Sequence, residues 1–338
     1  MKNKRIVVIG TSAGGLEALR TLVGELPATF PAPIFVVQHM ATSANASVLL
    51  AALGEASALR IGIARDGQEF EPGHVYIAPV DFHLLVKKKT LLVTKGAREN
   101  RYRPAIDPLF RSAAVTHGAQ VISVILTGML DDGTAGTTAV KRCGGTTIVQ
   151  DPKDAAYPAM PRSALVDGVD HCVPLRTMGA LLDRLARTRV RDRSSIPADV
   201  KLEAVIAERV VSDVRAVDSL GKQVPYNCPG CGGVLWDVAK AKTSRYRCHV
   251  GHSYTADTLL AEQSDKIEET LWFALRMLEE RRNLLGAMKG GKAASPALAD
   301  RESEALVHIA RIRELLLDRG PRSGTKPRSP AARRRVKA

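Results

Sequence analysis

A serine close to the start of the chain lies in a glycine-rich turn. The segment Gly10–Gly15, GTSAGG, follows the β-rich run RIVVIG and precedes a helical pattern that begins at Leu16. It fits the pattern G-x-S-x-G, in which small residues let the chain turn sharply. Ser12 would then lie at a helix N-terminus, where free N–H groups can stabilise an oxyanion. Ser12 is therefore a candidate nucleophile, in a turn built on Gly10, Gly14 and Gly15.

Two other interpretations of this turn stay open on the motif alone. A glycine-rich turn between a strand and a helix can bind phosphate, although GTSAGG matches neither G-x-G-x-x-G nor G-x-x-x-x-G-K. The turn can also be a tight connection without any chemical role.

A serine nucleophile needs a base, and a histidine and two aspartates follow other β-rich runs. His39 ends PIFVVQH, and Asp131 and Asp132 follow VISVILTGML. The carboxyl ends of neighbouring parallel strands meet at one edge of a sheet, where open α/β folds build their sites. A histidine can deprotonate the serine, and a carboxylate can orient the imidazole. An aspartate in such a turn can also be only a helix N-cap. The other histidines of this half, His74, His83 and His117, are expected at the surface.

The elements that must position these residues alternate between strand and helix through about the first 175 residues. Near-continuous apolar runs such as RIVVIG, PIFVVQH and VISVILTG are typical of strands buried on both faces. HVYIAP, HLLVKK, LLVTK, TTIVQ and HCVPL are further β-rich runs, and helical patterns cover Leu16–Leu26, Ser47–Leu59 and Ile106–His117. The alternation predicts a doubly wound α/β domain with a mostly parallel sheet.

The same region resembles the catalytic domain of the chemotaxis protein-glutamate methylesterase family, CheB. The resemblance covers six blocks in order: VVIGTSAGGLEAL, VVQHM, VYIAPVDFHL, RPAIDPLFRSAA, VILTGMLDDGTAG and QDPKDAAYPAMPRSAL. It implies Ser12 as nucleophile, His39 as base and Asp132, rather than Asp131, as the third residue. It also implies that the backbone N–H groups of His39 and Met129 stabilise the oxyanion.

The resemblance implies a reaction and a class of partner. The expected reaction is hydrolysis of glutamate γ-methyl esters on methyl-accepting chemotaxis receptors or related sensory proteins, with release of methanol. The family also deamidates glutamine, and no cofactor is expected for catalysis. Ala13 stands where the family often has threonine, which bears on the substrate. Because the esterase region begins near Arg5, we expect no receiver domain and no regulation by phosphorylation in cis. The alternative is a non-catalytic regulatory scaffold.

A separate cysteine segment has the spacing of a metal site. Cys228 and Cys231 form a C-x₂-C pair, and Cys248 and His252 follow as C-x₃-H. Four soft or borderline ligands at these spacings suit tetrahedral zinc. His249 is an alternative fourth ligand, and a redox C-x₂-C pair or a metal-free module are alternative interpretations. Similar segments follow the esterase domain in some CheB-like multidomain proteins.

The predicted organisation has five parts. They are an esterase domain over 1–187, a linker with a short helix over 188–224, a zinc-ribbon-like Cys/His module over 225–255, a helical hairpin over 256–319 and a disordered basic tail over 320–338. The amphipathic faces of the hairpin are expected to pack against each other. The alternative is that this C-terminal part docks a methyltransferase or another signalling partner.

Composition excludes several other classes of protein. Half of the net charge of +14 lies in the last 18 residues, and only 4% of residues are aromatic, so a nucleic-acid partner is not expected. Five cysteines in 338 residues exclude a disulfide scaffold. No apolar run reaches the roughly 18 residues that span a bilayer, and the N-terminal apolar run is too short for a signal peptide. We therefore expect a cytoplasmic protein that does not insert into membranes.

Overall fold

The computed structural model describes residues 5–41, 43, 46–190, 195–209, 214–240, 242–289 and 296–317. The chain divides into two compact units, with the boundary between Glu262 and Gln263. The predicted basic tail over 320–338 lies outside the described residues.

The described residues contain thirteen strands and ten α-helices. The strands are β1 Ile6–Thr11, β2 Ile34–Gln38, β3 Arg60–Ile63, β4 His74–Ile77, β5 His83–Val86, β6 Leu91–Thr94, β7 Val121–Ile125, β8 Thr146–Gln150, β9 His171–Val173, β10 Lys222–Asn227, β11 Val234–Asp237, β12 Arg245–Cys248 and β13 Ser253–Thr255. The helices are α1 Gly15–Gly24, α2 Ala46–Ala56, α3 Ile106–His117, α4 Thr134–Arg142, α5 Ala159–Ala164, α6 Leu175–Arg187, α7 Ala198–Arg209, α8 Val214–Asp218, α9 Ala256–Lys289 and α10 Pro296–Leu317.

The main sheet has seven parallel strands in the order β3-β4-β2-β1-β7-β8-β9. Every residue of β1, β2 and β7 is buried, which explains why these strands are almost continuously apolar in sequence. Val7 and Ile9 face a core with α1, α2 and α6, whereas Ile6 and Val8 face a core with α3, α4 and α5. Helices therefore cover both faces, and the predicted doubly wound fold is confirmed.

Strand β1 lies at the point where the strand order changes direction. It pairs with β2 on one side and with β7 on the other, both in parallel. The chain therefore leaves β1 toward one edge of the sheet and later crosses to the other. In open α/β sheets, such a switch point leaves a crevice beyond the carboxyl ends of the strands. Ser12, His39 and the Asp131–Asp132 pair follow these three strands.

Two smaller sheets complete the first unit. β5 and β6, which correspond to the β-rich runs HLLVKK and LLVTK, form an antiparallel hairpin. β10 to β13 form a four-stranded antiparallel sheet that carries the cysteine segment. This sheet begins at Lys222, within the stretch predicted to be a linker. The four-stranded sheet and the main sheet belong to the same compact unit, and this unit ends at Glu262.

The second unit contains most of α9 and all of α10. Leu275, Leu285 and Ile309 are buried, and Arg313 forms an ion pair with Glu279 at 2.6 Å. The ion pair joins the two helices. Among the residues that the structure describes, no helix is long and apolar enough to cross a membrane.

Candidate active site

Ser12 lies in the turn between β1 and α1. Its N–H donates to the carbonyl of Thr127 at 3.1 Å, and its own carbonyl accepts from Gly15 N–H at 2.9 Å. Gly14, the N-cap of α1, has a φ of 73°, a left-handed conformation that favours glycine. Ser12 is partly exposed. The turn therefore fixes the backbone of Ser12 and leaves its hydroxyl accessible.

The close approach of two loops requires a glycine opposite Ser12. A Cβ atom on Gly128 would lie 2.9 Å from Ser12 Cβ and 2.5 Å from Met160 Sδ. Gly128 cannot retreat easily, because its N–H donates to the carbonyl of Tyr157 and its own carbonyl accepts from Met160 N–H. The LTGM segment after β7 therefore packs directly against the serine turn.

His39 forms a hydrogen bond with Asp132. The distance between His39 Nε2 and Asp132 Oδ2 is 2.8 Å, and both side chains are almost fully buried. A carboxylate only accepts hydrogen bonds, so the partner assigns the ring proton to Nε2. The other ring nitrogen, Nδ1, is buried and has no hydrogen-bond partner among the described residues. In a neutral ring of this tautomer, Nδ1 carries the lone pair that a general base needs.

A glutamine side chain holds the serine and histidine backbones together. Gln38 Nε2 donates to the carbonyl of Ser12 at 2.8 Å and to that of His39 at 2.9 Å. The sheet adds a bond between His39 N–H and the carbonyl of Thr11, at 3.0 Å. The residues that follow β1 and β2 are therefore fixed side by side. The part of the chain that the structure describes contains no hydrogen bond from the Ser12 hydroxyl to the imidazole.

The same backbone bond corrects one expectation about the oxyanion. The family resemblance implies that the N–H of His39 stabilises it, but this donor is occupied by Thr11 O within the sheet. Met129 differs, because its N–H forms no hydrogen bond with another described residue. Leu130, the next residue, has a φ of 62°, so the turn that presents Met129 is conformationally unusual. Met129 N–H is the better-placed donor of the two.

Asp132 accepts hydrogen bonds from both sides of its carboxylate. Ile106 N–H donates to Oδ2 at 2.7 Å, beside His39. Oδ1 accepts from the amide of Asn100 at 2.9 Å and from Asp107 N–H at 3.3 Å. Asp132 is thus fixed by the start of α3 and by one loop asparagine. The neighbouring Asp131 does not contact His39.

The loop that carries Asn100 also carries an aromatic partner for the histidine. The rings of Tyr102 and His39 are stacked, with centroids 3.7 Å apart. Asn100 is 1% exposed and has a φ of 49°, so a buried amide is held in a left-handed backbone. Neither residue is predicted from the sequence. Asparagine tolerates such a backbone better than most residues, but a single asparagine in a loop does not reveal this in a sequence.

Burial shifts the pKa of two carboxyl groups beside Asp132. Burial and the nearby charge of Asp132 raise the pKa of Asp107 to about 7. Burial also raises the pKa of Asp131 to about 6, although a hydrogen bond from Thr255 acts in the opposite direction. Both groups are therefore harder to ionise than ordinary aspartates. Three carboxyl groups therefore lie close together, and the site disfavours the ionised form of two of them, Asp107 and Asp131.

His83 is not at the surface, and that prediction is wrong. Its side chain is 3% exposed, at the start of β5. Nε2 donates to the carbonyl of Ala97 at 2.9 Å, and Nδ1 accepts from Ala105 N–H at 3.2 Å. Both ring nitrogens are satisfied by backbone, so His83 supports the loop before α3 rather than the chemistry. Burial lowers the pKa of His83, which keeps the ring neutral.

The cysteine segment brings its four candidate ligands together. One ligand atom from each of Cys228, Cys231, Cys248 and His252 lies within 4.8 Å of all the others. The Sγ atoms of Cys231 and Cys248 are 3.7 Å apart, and Cys248 Sγ is 3.6 Å from His252 Nδ1. Around tetrahedral zinc, with Zn–S and Zn–N bonds of roughly 2.3 and 2.0 Å, two sulfur atoms lie about 3.8 Å apart and a sulfur and a nitrogen about 3.5 Å apart. The donor set and its spacing therefore fit zinc, with His252 rather than His249 as the fourth ligand.

Comparisons with known proteins agree with this architecture. The model of the protein family described as CheB methylesterase matches residues 7–182. The protein-glutamate methylesterase/protein-glutamine glutaminase of Thermotoga maritima is 42% identical over 175 residues, which are 50% of this chain and 51% of that protein. A relative from Leptospira interrogans is 37% identical over 193 residues, 56% of this chain and 100% of that protein. The chain thus spans about half the length of the Thermotoga relative.

A solved structure is also similar. The crystal structure of the Thermotoga maritima CheB methylesterase catalytic domain has a TM-score of 0.52 and 41% sequence identity. The similarity covers 54% of this chain and 98% of that one. The family match covers the strands of the main sheet and ends at residue 182, before the cysteine segment.

Proposed function

The chain belongs to the CheB methylesterase family, and we propose that it hydrolyses glutamate γ-methyl esters in methyl-accepting sensory proteins. Ser12 is the nucleophile, His39 the base, and Asp132 the residue that orients and stabilises the imidazole. The observation that carries this proposal is the 2.8 Å hydrogen bond between His39 and Asp132, formed beside the Ser12 turn. The names of the Thermotoga relative and of its solved domain support the reaction class.

The first half of the reaction forms an acyl-enzyme. Ser12 Oγ attacks the ester carbonyl carbon while its proton moves to His39 Nδ1. Asp132 stabilises the imidazolium through Nε2–H, and Met129 N–H donates to the oxyanion. The tetrahedral intermediate then expels the methoxy group, which takes the proton from Nδ1 and leaves as methanol. Ser12 is left esterified to the glutamate side chain.

The second half restores the enzyme. Water attacks the acyl carbon, and His39 Nδ1 takes a proton from it. The new tetrahedral intermediate expels Ser12 Oγ, which recovers the proton, and the product is a glutamate carboxylate. The same steps on glutamine release ammonia instead of methanol, which gives the deamidation that we include in the proposal.

The surface around Ser12 suits a protein substrate. Met129 and Tyr157 are 53% and 45% exposed, although both are large and apolar or aromatic. Both residues belong to segments that contact the serine turn, since Gly128 packs on Ser12 and Tyr157 lies near Gly14. Exposed apolar side chains beside the proposed nucleophile favour a large partner over a small buried ester. A helix of a methyl-accepting receptor is the proposed partner.

The cytoplasm is the proposed location. None of the five cysteines, all of which lie in the part of the chain that the structure describes, forms a disulfide. Five cysteines without a disulfide suit a reducing compartment.

Zinc is the proposed metal of the cysteine segment. Cys228, Cys231, Cys248 and His252 would hold it, and its contribution would be structural, because four protein ligands leave no open position. The esterase chemistry needs none of these residues. We therefore propose no cofactor for catalysis.

Methanol release from a methylated receptor tests the function. Wild-type protein should release methanol, and Ser12→Ala should abolish the release. Persistent release by the variant would exclude Ser12 as the nucleophile. Absence of release from both proteins would favour the scaffold alternative, in which the C-terminal part docks a methyltransferase or another signalling partner.

A further inference from the structure

Three consecutive residues beside the active site are tied to the cysteine-bearing sheet. Glu99 contacts Arg247 at 2.9 Å, Asn100 N–H donates to the carbonyl of Ser253 at 2.7 Å, and Arg101 contacts Glu262 at 2.7 Å. All three partners lie within or just after the β10–β13 sheet. The three residues form what we call the 99–101 segment.

The central contact extends the sheet itself. β13 is one of the two outer strands of this sheet, with β12 on one side. Glu99 forms a parallel bridge with Ser253 on the other side. Outer strands leave backbone N–H and C=O groups that must find partners. The 99–101 segment supplies such a partner and is itself held by β13.

A buried charge pair fixes the first residue of the segment. Glu99 and Arg247 are 2% and 0% exposed, and Glu99 also pairs with Arg111 of α3 at 2.7 Å. Burial alone would raise the pKa of Glu99, but Arg111 and Arg247 hold it well below its usual range. Removing one partner from a buried pair leaves an uncompensated charge, so this contact strongly resists separation.

The amide of Asn100 connects the segment to the catalytic carboxylate. Its Nδ2 atom donates one hydrogen to Asp132 Oδ1 and the other to Asp107 Oδ2, each at 2.9 Å. Asp132 in turn accepts from His39 at 2.8 Å. Both Asn100 and Arg101 have positive φ, at 49° and 75°. Such backbones persist where the surroundings impose them, and here the surroundings are β13 and α3.

We propose that the cysteine-bearing sheet is part of the esterase site, and that Asn100 is a positioning residue through which it acts. Ser253 and Arg247 hold the 99–101 segment, and the Asn100 amide then holds Asp132 against His39. The proposal rests on the proposed function, in which Asp132 supports His39. It adds a role for residues 245–262, which lie beyond the family match at 182.

The first test compares two variants that lose buried hydrogen bonds. Asn100→Ala should lower kcat for methanol release by on the order of 10- to 100-fold and leave KM within about two-fold, because Asn100 aligns the catalytic groups without touching substrate. Ser112→Ala is the matched control, since its buried hydroxyl donates to Leu109 O and accepts from Val86 N–H. It should be destabilised yet keep the wild-type kcat.

A spectroscopic measurement separates positioning from general damage. The Nε2 proton of His39 should give a strongly downfield NMR resonance, assigned by its loss in His39→Gln. Asn100→Ala should shift or broaden this resonance, and Ser112→Ala should not. Because the measurement needs no substrate, it also works if wild-type protein releases no methanol. In that case a shifted resonance supports positioning although the proposed function has failed.

The second test addresses the sheet. Arg247→Met should lower kcat by about ten-fold and move the His39 resonance, whereas Arg142→Met, which removes an arginine that pairs with Asp199 outside this sheet, should change neither. If Arg247→Met does not fold, Glu262→Gln is used instead, because its pair with Arg101 is about one-third exposed. This variant should lower kcat by about two- to five-fold at constant KM. Wild-type kcat and an unmoved resonance in Asn100→Ala and in the sheet variants would overturn the proposal.

Discussion

The rings of His39 and Tyr102 lie face to face, with centroids 3.7 Å apart and planes inclined by only 11°. Tyr102 covers one face of the imidazole while Asp132 holds its Nε2 edge. Two backbone hydrogen bonds between Glu99 and Tyr102 close the turn that presents the phenol ring. Burial and the nearby charge of Asp132 raise the pKa of Tyr102, so the phenol stays neutral. Stacking and hydrogen bonding together leave the ring of His39 little freedom to rotate.

We expect the ring of Tyr102, and not its hydroxyl, to matter for activity. Tyr102→Phe keeps the stacked ring and should retain kcat within about two-fold, whereas Tyr102→Ala should lower kcat by about ten-fold because the imidazole can rotate. The measurement is the steady-state rate of methanol release from methylated receptor. Equal losses in both variants would indicate that the hydroxyl has a chemical role.

The sequence was enough to predict the candidate catalytic residues but not the residues that support them. Ser12, His39 and the Asp131–Asp132 pair each follow a buried strand, and the apolar pattern of these strands shows where they end. The choice of Asp132 over Asp131 came from the family resemblance. Asn100 and Tyr102 lie in a loop without periodicity. Their role depends on a positive φ and on ring stacking, and neither property has a recognisable signature in a single sequence.

In the cysteine segment, too, some features could be predicted from the sequence and others could not. The proximity of its four candidate ligands could be predicted, because C-x₂-C and C-x₃-H spacings restrict the geometry locally. The contact between Arg247 and Glu99 could not be predicted, since 148 residues separate the two in the chain. Such a pair depends on how the loop before α3 packs against the β10–β13 sheet. The edge strand β3 could not be predicted either, because RIGI is short and partly exposed.

Two adjacent aspartates should differ sharply in their importance. Asp132→Asn should lower kcat by a factor on the order of 10⁴, because an amide in place of the carboxylate fails to stabilise the imidazolium. Asp131→Asn should stay within a few-fold of wild type, since Asp131 does not contact His39. Both are measured by methanol release.

The Asp131 variant also serves as a control for folding. Both substitutions remove one carboxylate from the same turn, so circular dichroism and thermal melting should show two folded proteins. A loss of activity in Asp131→Asn as large as that in Asp132→Asn would contradict the assignment of Asp132.

Gly128 should tolerate no side chain. In Gly128→Ala the new Cβ would lie 2.9 Å from Ser12 Cβ, so the serine turn or the LTGM segment must move. We expect kcat to fall by at least about ten-fold, because a displacement of this size disturbs the attack geometry. Overpacking should also destabilise the fold by about 1–3 kcal/mol, as measured by urea unfolding.

Gly54→Ala provides the matched control. Gly54 lies in α2, and a Cβ atom at this position would meet no other atom within 4 Å, so alanine finds no obstacle there. This variant should be more stable by about 0.5–1 kcal/mol and fully active, because alanine favours a helix. Full activity in Gly128→Ala would contradict a close contact between the serine turn and the LTGM segment.

Zinc should be present at about one ion per chain when the purified protein is analysed by mass spectrometry of its metals. Cys248→Ala should lose the zinc and destabilise the β10–β13 sheet, whereas Cys172→Ala, an exposed cysteine outside the cluster, should keep it. A metal content near zero in a protein whose sheet is folded would contradict the zinc assignment.

Glu203 should make the protein lose stability in acid. Its carboxylate lies 2.8 Å and 3.1 Å from two nitrogens of Arg245 and is buried. Burial alone would raise the pKa of Glu203, but Arg245, Arg111 and Arg247 lower it to about 2, from an ordinary value of 4.5. The folded protein therefore binds this proton more weakly than the unfolded chain does. The carboxylate stabilises the fold above pH 4.5, and the stabilisation is lost as the pH falls from 4.5 toward 2.

The measurement is the free energy of unfolding in urea at pH 6 and at pH 4, with zinc in excess. Between these two values, wild-type protein should lose about 1 kcal/mol more than Glu203→Gln, which has no carboxylate to protonate. Glu208→Gln is the control, because Glu208 lies on the same helix in a largely exposed pair with Lys87. Exposed pairs contribute little, so this variant should follow the wild-type pH dependence. Identical pH dependence in Glu203→Gln and wild type would show that the buried pair does not set the acid sensitivity.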